Sequence, residues 1–72
     1  ISIESPQAAR ESVRKARRLI RLHVYSKETV KKAFVLAANR AMVMRRRKNL
    51  SPKERKEMKE VERIYREAAE RL

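Results

Sequence analysis

Residues 30–46 read VKKAFVLAANRAMVMRR, and this stretch decides the fold because it carries two apolar stripes where a helix packed on a core needs one. At about 100° per residue, Val30, Ala33, Phe34, Ala37, Ala41 and Met44 fall on one side, the spacing of a core-facing helix. Val35, Leu36, Met42 and Val43 fall on the other side, interleaved with Lys32, Asn39 and Arg46 as a second seam. A monomeric bundle cannot bury both. Each of the four outer apolar side chains is worth roughly 1.5–3 kcal/mol when fully buried. Four of them on the outside of one helix predict a surface kept for a partner.

The whole chain of 72 residues is short enough for one domain, here expected over residues 5–72 behind an N-terminal arm of residues 1–4. Cysteine is absent, which excludes disulfides, thiolate zinc sites and cysteine nucleophiles and leaves the redox compartment open. Glycine is absent too, prolines number only 2, and 42% of residues are apolar. Hairpins and left-handed turns lean on glycine, so this composition predicts an all-α protein. The formal net charge is +12 and the isoelectric point is about 11.2, which calls for an acidic partner: nucleic acid, anionic membrane or acidic protein. The longest uncharged run inside the opening stretch, Ala33 to Asn39, is far short of the ~20 residues of a membrane span. The N-terminus also lacks a basic segment followed by a long apolar run. A soluble chain without signal peptide or transmembrane segment is expected, its compartment undetermined.

In chain order, the alternation of Ile1 to Glu4 is too short to hold a strand alone. It is read as an arm whose Ile3 or Ile1 rests on the end of the bundle. Ser5-Pro6 opens a first helix as N-cap and first helical residue. Ala9, Val13, Ala16, Ile20 and Val24 give its core stripe, with Leu19 beside it; Arg10, Arg14, Lys15, Arg17, Arg18 and Arg21 give a basic outer face edged by Leu22 and Tyr25. Ser26 caps a second helix expected from Lys27 to Lys48, with Asn49 as its left-handed C-terminal cap. The basic run Arg45 to Lys48 has two readings, a match to the negative end of the helix dipole or a binding element. Ser51-Pro52-Lys53-Glu54 has the pattern of a capping box. Met58, Val61, Tyr65, Ala68 and Leu72 form the core stripe of a third helix, flanked by Ile64 and Ala69, with Glu62/Arg66 and Glu67/Arg71 paired on its outer face. Short connections make successive helices antiparallel, so the expected architecture is an up-down-up three-helix bundle. Residues 1–50 hold 14 Lys and Arg against 3 Glu, while residues 51–72 hold 7 against 6, so the first two helices carry nearly all the surplus charge.

Two resemblances bear on function. The stretch SPKERKEMKEVERIYREAAERL, Ser51 to Leu72, resembles the helices of de novo designed three-helix mini-protein binders. That resemblance implies two helices offered to a target and a third serving as support. The stretch HVYSKETVKKAF, His23 to Phe34, is similar to the turn and recognition helix of helix-turn-helix DNA-binding proteins, through Val24, Ser26, Thr29 and Val30. On that likeness Lys27, Glu28, Thr29, Lys31 and Lys32 would face the major groove. The turn lacks the glycine common in that family, and the second helix continues for several further turns with apolar residues outward.

No enzymatic constellation is expected. His23 is the only histidine, and Ser5, Ser26 and Ser51 are committed to caps. No His/Asp/Glu cluster has the spacing of a metal site, and glycine-rich phosphate loops are impossible. No cofactor and no metal are expected. The predicted contact set is Arg14, Arg18, Leu22, Tyr25, Lys32, Val35, Leu36, Asn39, Met42, Val43 and Arg46, an apolar strip within a basic rim. Met42 is read as an adaptable contact; Asn39 is read either as an ordinary exposed residue or as a bond to a partner's backbone. The partner expected is a protein with an acidic surface, bound by a chain that is monomeric when free. Nucleic acid is expected to bind only weakly and non-specifically.

Overall fold

The computed structural model describes residues 1–72, and the chain is all-α with three helices and no strand: α1 (Pro6–Arg21), α2 (Lys27–Arg45) and α3 (Pro52–Glu70). Each helix begins where local chemistry dictates. Ser5 Oγ accepts from the Ala8 N–H at 3.1 Å, Ser26 Oγ from the Thr29 N–H at 3.2 Å, and Ser51 Oγ from the Glu54 N–H at 3.2 Å. Each serine thus satisfies one of the amides that a helix start leaves without a partner. Pro6 and Pro52 follow their caps, where a missing N–H costs nothing. The expected capping box is only half made: the Glu54 carboxylate forms no bond back to Ser51.

The first helix ends earlier than its apolar spacing suggests. Leu22 is the C-cap, His23 takes φ 59°, and the chain reverses hand there. The His23 N–H donates to the Ile20 carbonyl at 3.0 Å and the Val24 N–H to the Leu19 carbonyl at 2.9 Å, the paired bonds of a Schellman motif. Val24, expected on the core stripe, is consequently carried off the helix and is 57% exposed. A side chain in the left-handed region costs about 1–2 kcal/mol. His23→Gly should therefore raise stability by about 1 kcal/mol and the melting temperature by roughly 4–8 °C, measured by thermal denaturation. A lowered melting temperature would show that the imidazole does more than occupy the turn.

The second helix also stops short, at Arg45, and Asn49 is not left-handed; His23 is the only residue other than glycine at positive φ. The last turn closes instead through Arg46 N–H to Val43 O at 3.2 Å and Arg47 N–H to Met44 O at 3.1 Å. This tighter i→i+3 closure needs no left-handed residue. Arg55 then reaches back from α3 and donates to the Arg47 carbonyl at 3.2 Å.

The core lies chiefly between α2 and α3; α1 packs mainly on α3 and scarcely touches α2. Phe34, Val61 and Tyr65 are its largest fully buried side chains, and the Phe34 and Tyr65 rings lie 5.8 Å apart at 42°. Alanine supplies much of the rest, with Ala37, Ala38 and Ala41 buried on α2 and Ala68 and Ala69 on α3. Ala38 lies outside the predicted stripe of α2 and Ala69 on the predicted flank of the α3 stripe, and small side chains at such margins become buried only because a neighbouring helix can come close. Glu62 joins the two helices, accepting from Arg45 at 3.2 Å and from Arg66 at 2.9 Å. The expected Glu67/Arg71 pair does not form. Glu67 turns the other way, to Arg63 at 3.3 Å.

The N-terminal residues lie where α1 and α2 stand apart. The Ser2 N–H donates to Ser12 Oγ at 3.1 Å, and the Ser2 carbonyl accepts from the buried Tyr65 hydroxyl. Ile3 packs against the core, whereas Ile1 is 64% exposed. These residues do not cap the bundle's end. They enter the cleft between α1 and α2, where Ile1 and Ser2 line one hollow with Ala16, Val30 and Ala33, and where Ile1 and Ile3 line another with Leu36 and Ala37. Burial raises the Tyr65 hydroxyl above its ordinary pKa, against the opposing effect of its bonds to Ser12 and the Ser2 backbone.

Candidate functional site

The two stripes of the second helix separate cleanly in space. Val30, Phe34, Ala37, Ala38 and Ala41 are buried, while Val35, Leu36 and Val43 are 42%, 57% and 59% exposed. The two apolar faces nearly cancel, so α2 is by far the least amphipathic of the three helices. Lys32, Asn39 and Arg46 are exposed with the outer apolar residues, as helical spacing demands. A strip about four turns long results, from Lys32 to Arg46, with a basic residue at each end.

Met42 occupies a different position from its predicted companions. It is half-buried at the strip's margin toward α3, its Sδ 3.9 Å from Arg66 Nη2. At 100° per residue it sits closer to buried Ala38 than Asn39 does, and Arg66 can cover it.

Leu22 and Tyr25 lie in the α1–α2 turn, 63% and 52% exposed. Tyr25 joins α2 through a hollow of about 570 Å³ between the two helices, lined also by Lys15, Leu19 and Thr29. These three residues were outside the predicted contact set. Leu19 could have been recognised from its place beside the core stripe, but Lys15 and Thr29 lie on different helices, and no local spacing brings them to one hollow.

Arg14 and Arg18 are exposed on α1 but are placed differently from each other. Arg18, nine residues beyond buried Ala9, is half a turn round the helix from the core and lies with Glu11, Lys15 and Arg21. Arg14 also borders a groove shared with Ile64 and Glu67 of α3. Helix α1 thus has one edge toward α2, carrying Lys15 and Leu19, and another toward α3, carrying Arg14. The predicted rim is one surface along α2 and the turn, and a second surface on α1.

Part of the charge on α3 is paired at close range, through Glu60, Glu62 and Glu67. Glu60 accepts from Arg63 and from Arg10 of α1, the latter at 3.2 Å. The Arg63 hydrogen bond, with the fields of Arg63 and Arg10, lowers the Glu60 pKa below the usual carboxylate value despite its partial desolvation. The same hydrogen bond to Glu60 raises the Arg63 pKa. No group of three His, Cys, Asp or Glu side chains converges as a metal site. No helix is long and apolar enough to cross a membrane. No protein-family model, no curated protein and no solved structure matches the chain.

Proposed function

We propose that this chain is a protein-binding module that engages an acidic, partly apolar protein surface through α1 and α2, with α3 as scaffold. The observation that carries the proposal is the exposure of Val35, Leu36 and Val43 on the face of α2 opposite Phe34 and Ala41, amid Lys32, Asn39 and Arg46. Apolar anchors inside a polar, charged rim are the ordinary anatomy of a protein interface. Tyr25 and Leu22 extend the apolar surface into the turn, and Arg18 and Lys15 supply further positive charge on α1.

The architecture adopted in this proposal is an up-down-up bundle. Arg47 with Arg55 and Arg45 with Glu62 support opposed directions for α2 and α3. Arg10 with Glu60 near the start of one groove and Arg21 with Arg71 near its end support a common direction for α1 and α3. Serine caps at all three helices, two followed by proline, agree with the style of designed mini-protein binders, which use two helices for the target and one for support. The free chain is a monomer in this account, because a net charge of +12 opposes self-association through the strip.

A panel of acidic protein domains and a labelled DNA duplex, each titrated at low and physiological salt, tests the proposal. Duplex binding should be blind to sequence and should largely vanish between about 50 and 200 mM salt, as expected for contacts to phosphates alone. Binding to an acidic protein domain should survive, since apolar anchors are insensitive to screening. Sequence-selective duplex binding that persists at the higher salt would replace this account with the helix-turn-helix one.

A further inference from the structure

The side of α1 facing away from α2 forms a second surface with α3. A groove of about 470 Å³ runs between these helices, and no residue of α2 lines it. Its walls carry Arg10, Arg14, Arg17 and Arg21 from α1 and Arg63 and Arg71 from α3, with Glu67 the only acid. Arg10 and Arg63 are engaged with Glu60, and Arg63 also holds Glu67. The five ion pairs of the molecule leave Arg14, Arg17, Arg21 and Arg71 without a carboxylate. Glu67 pairs with Arg63 and leaves Arg71 without a carboxylate. The floor is apolar, made by Val13, Ile64 and Ala68.

We propose that this groove seats an acidic amphipathic α-helix of a partner protein, with its carboxylates on the four unpaired arginines and its apolar edge on the floor. Charge complementarity supplies the first argument. Guanidinium groups bind carboxylates through paired, charge-assisted hydrogen bonds, and four unpaired ones on facing walls form a concentrated anion-recognising surface. Spacing supplies the second. Arg14, Arg17 and Arg21 follow the 3–4 repeat and rise by roughly 4.5 and 6 Å, which is also the repeat that aligns carboxylates along one side of a partner helix. The floor decides between classes of anion. A phosphodiester backbone has no apolar edge to cover Val13 and Ile64, whereas an amphipathic helix laid in a groove brings one. The surface is separate from the α2 strip, and it stands or falls without it.

The test uses the full chain and a fluorescent acidic amphipathic peptide of Glu-Ala-Leu-Glu repeats, with a scrambled peptide of equal composition and a labelled DNA duplex as comparisons. Arg17→Gln/Arg21→Gln/Arg71→Gln is compared with Lys53→Gln/Lys56→Gln/Lys59→Gln, which removes the same charge from exposed positions of α3 outside the groove. The arginine variant should lose about tenfold or more in affinity for the amphipathic peptide and the lysine variant less than about threefold. On the unmodified protein, peptide titration followed by amide NMR should shift Val13, Arg17, Ile64 and Ala68 above other residues, a readout that holds even if a variant folds poorly. Equal losses in the two variants, equal binding of the scrambled peptide, or shifts centred on α2 would overturn the proposal. Tighter binding of the duplex than of the peptide, with the same dependence on Arg17, Arg21 and Arg71, would assign the groove to nucleic acid instead.

Discussion

Replacing Phe34 with alanine should leave the chain largely unfolded at room temperature. Phe34 is fully buried, stacks at a tilt against Tyr65, and stands among alanines that cannot expand into the space it would vacate. Large-to-small changes of this kind cost about 3–5 kcal/mol, from lost transfer energy and from the cavity left behind. Marginal stability of roughly 0.05–0.15 kcal/mol per residue makes that loss comparable with the whole stability of so short a chain. The many buried alanines place this protein toward the low end, because they contribute little apolar area each. Loss of the far-UV helical signal and of a cooperative thermal transition is the expected result. A variant melting within a few degrees of the parent would mean that the core is centred elsewhere.

The parts of this fold that were legible in the sequence rest on local chemistry. A serine three residues before the amide it caps and a proline at the first helical position are short-range arrangements, so the starts at Pro6, Lys27 and Pro52 could be read directly. The buried stripe through Val30, Phe34, Ala37 and Ala41 was equally legible, because helical periodicity alone places those residues together. The end of α1 was not. A Schellman turn normally announces itself with glycine, and here histidine occupies the left-handed position. The apolar spacing therefore ran on to Val24, beyond the true end of the helix.

The candidate site was legible to the extent that it belongs to one helix. Val35, Leu36 and Val43 share the outer face of α2 whatever the rest of the chain does, and they are exposed together. Met42 has the same sequence credentials but lies toward α3, where Arg66 reaches its sulfur, and that depends on which neighbour stands beside it. The hollow bounded by Lys15, Leu19, Tyr25 and Thr29 is lined also by Ile1 and Ser2, which lie far from it in the chain and which no local spacing would place there. Glu67 had an arginine one turn away on either side, so its choice of Arg63 over Arg71 could not be read from i, i+4 spacing.

Leu36→Glu should separate binding from folding. Leu36 is 57% exposed, so removing it takes little from the core of the free protein. Glutamate is a good helix former, and Arg40 one turn later is exposed and available to pair with it in the favourable order, adding about 0.2–0.5 kcal/mol. Stability should stay the same or rise slightly. Partner binding should fall by roughly thirtyfold or more, because one of the strip's apolar anchors is lost and a negative charge is set against an acidic surface. Lys32→Gln, at the rim, should mainly slow association and weaken its salt dependence, a much smaller change in affinity.

The central claim is that α2 has one face for the fold and another for a partner. It is tested most directly by measuring thermal unfolding and affinity for an acidic protein partner on the same preparation of Leu36→Glu. An unchanged or slightly higher melting temperature with binding reduced by roughly thirtyfold or more is the predicted result. A melting temperature lowered as far as that of Phe34→Ala, or affinity equal to the parent's, would contradict it.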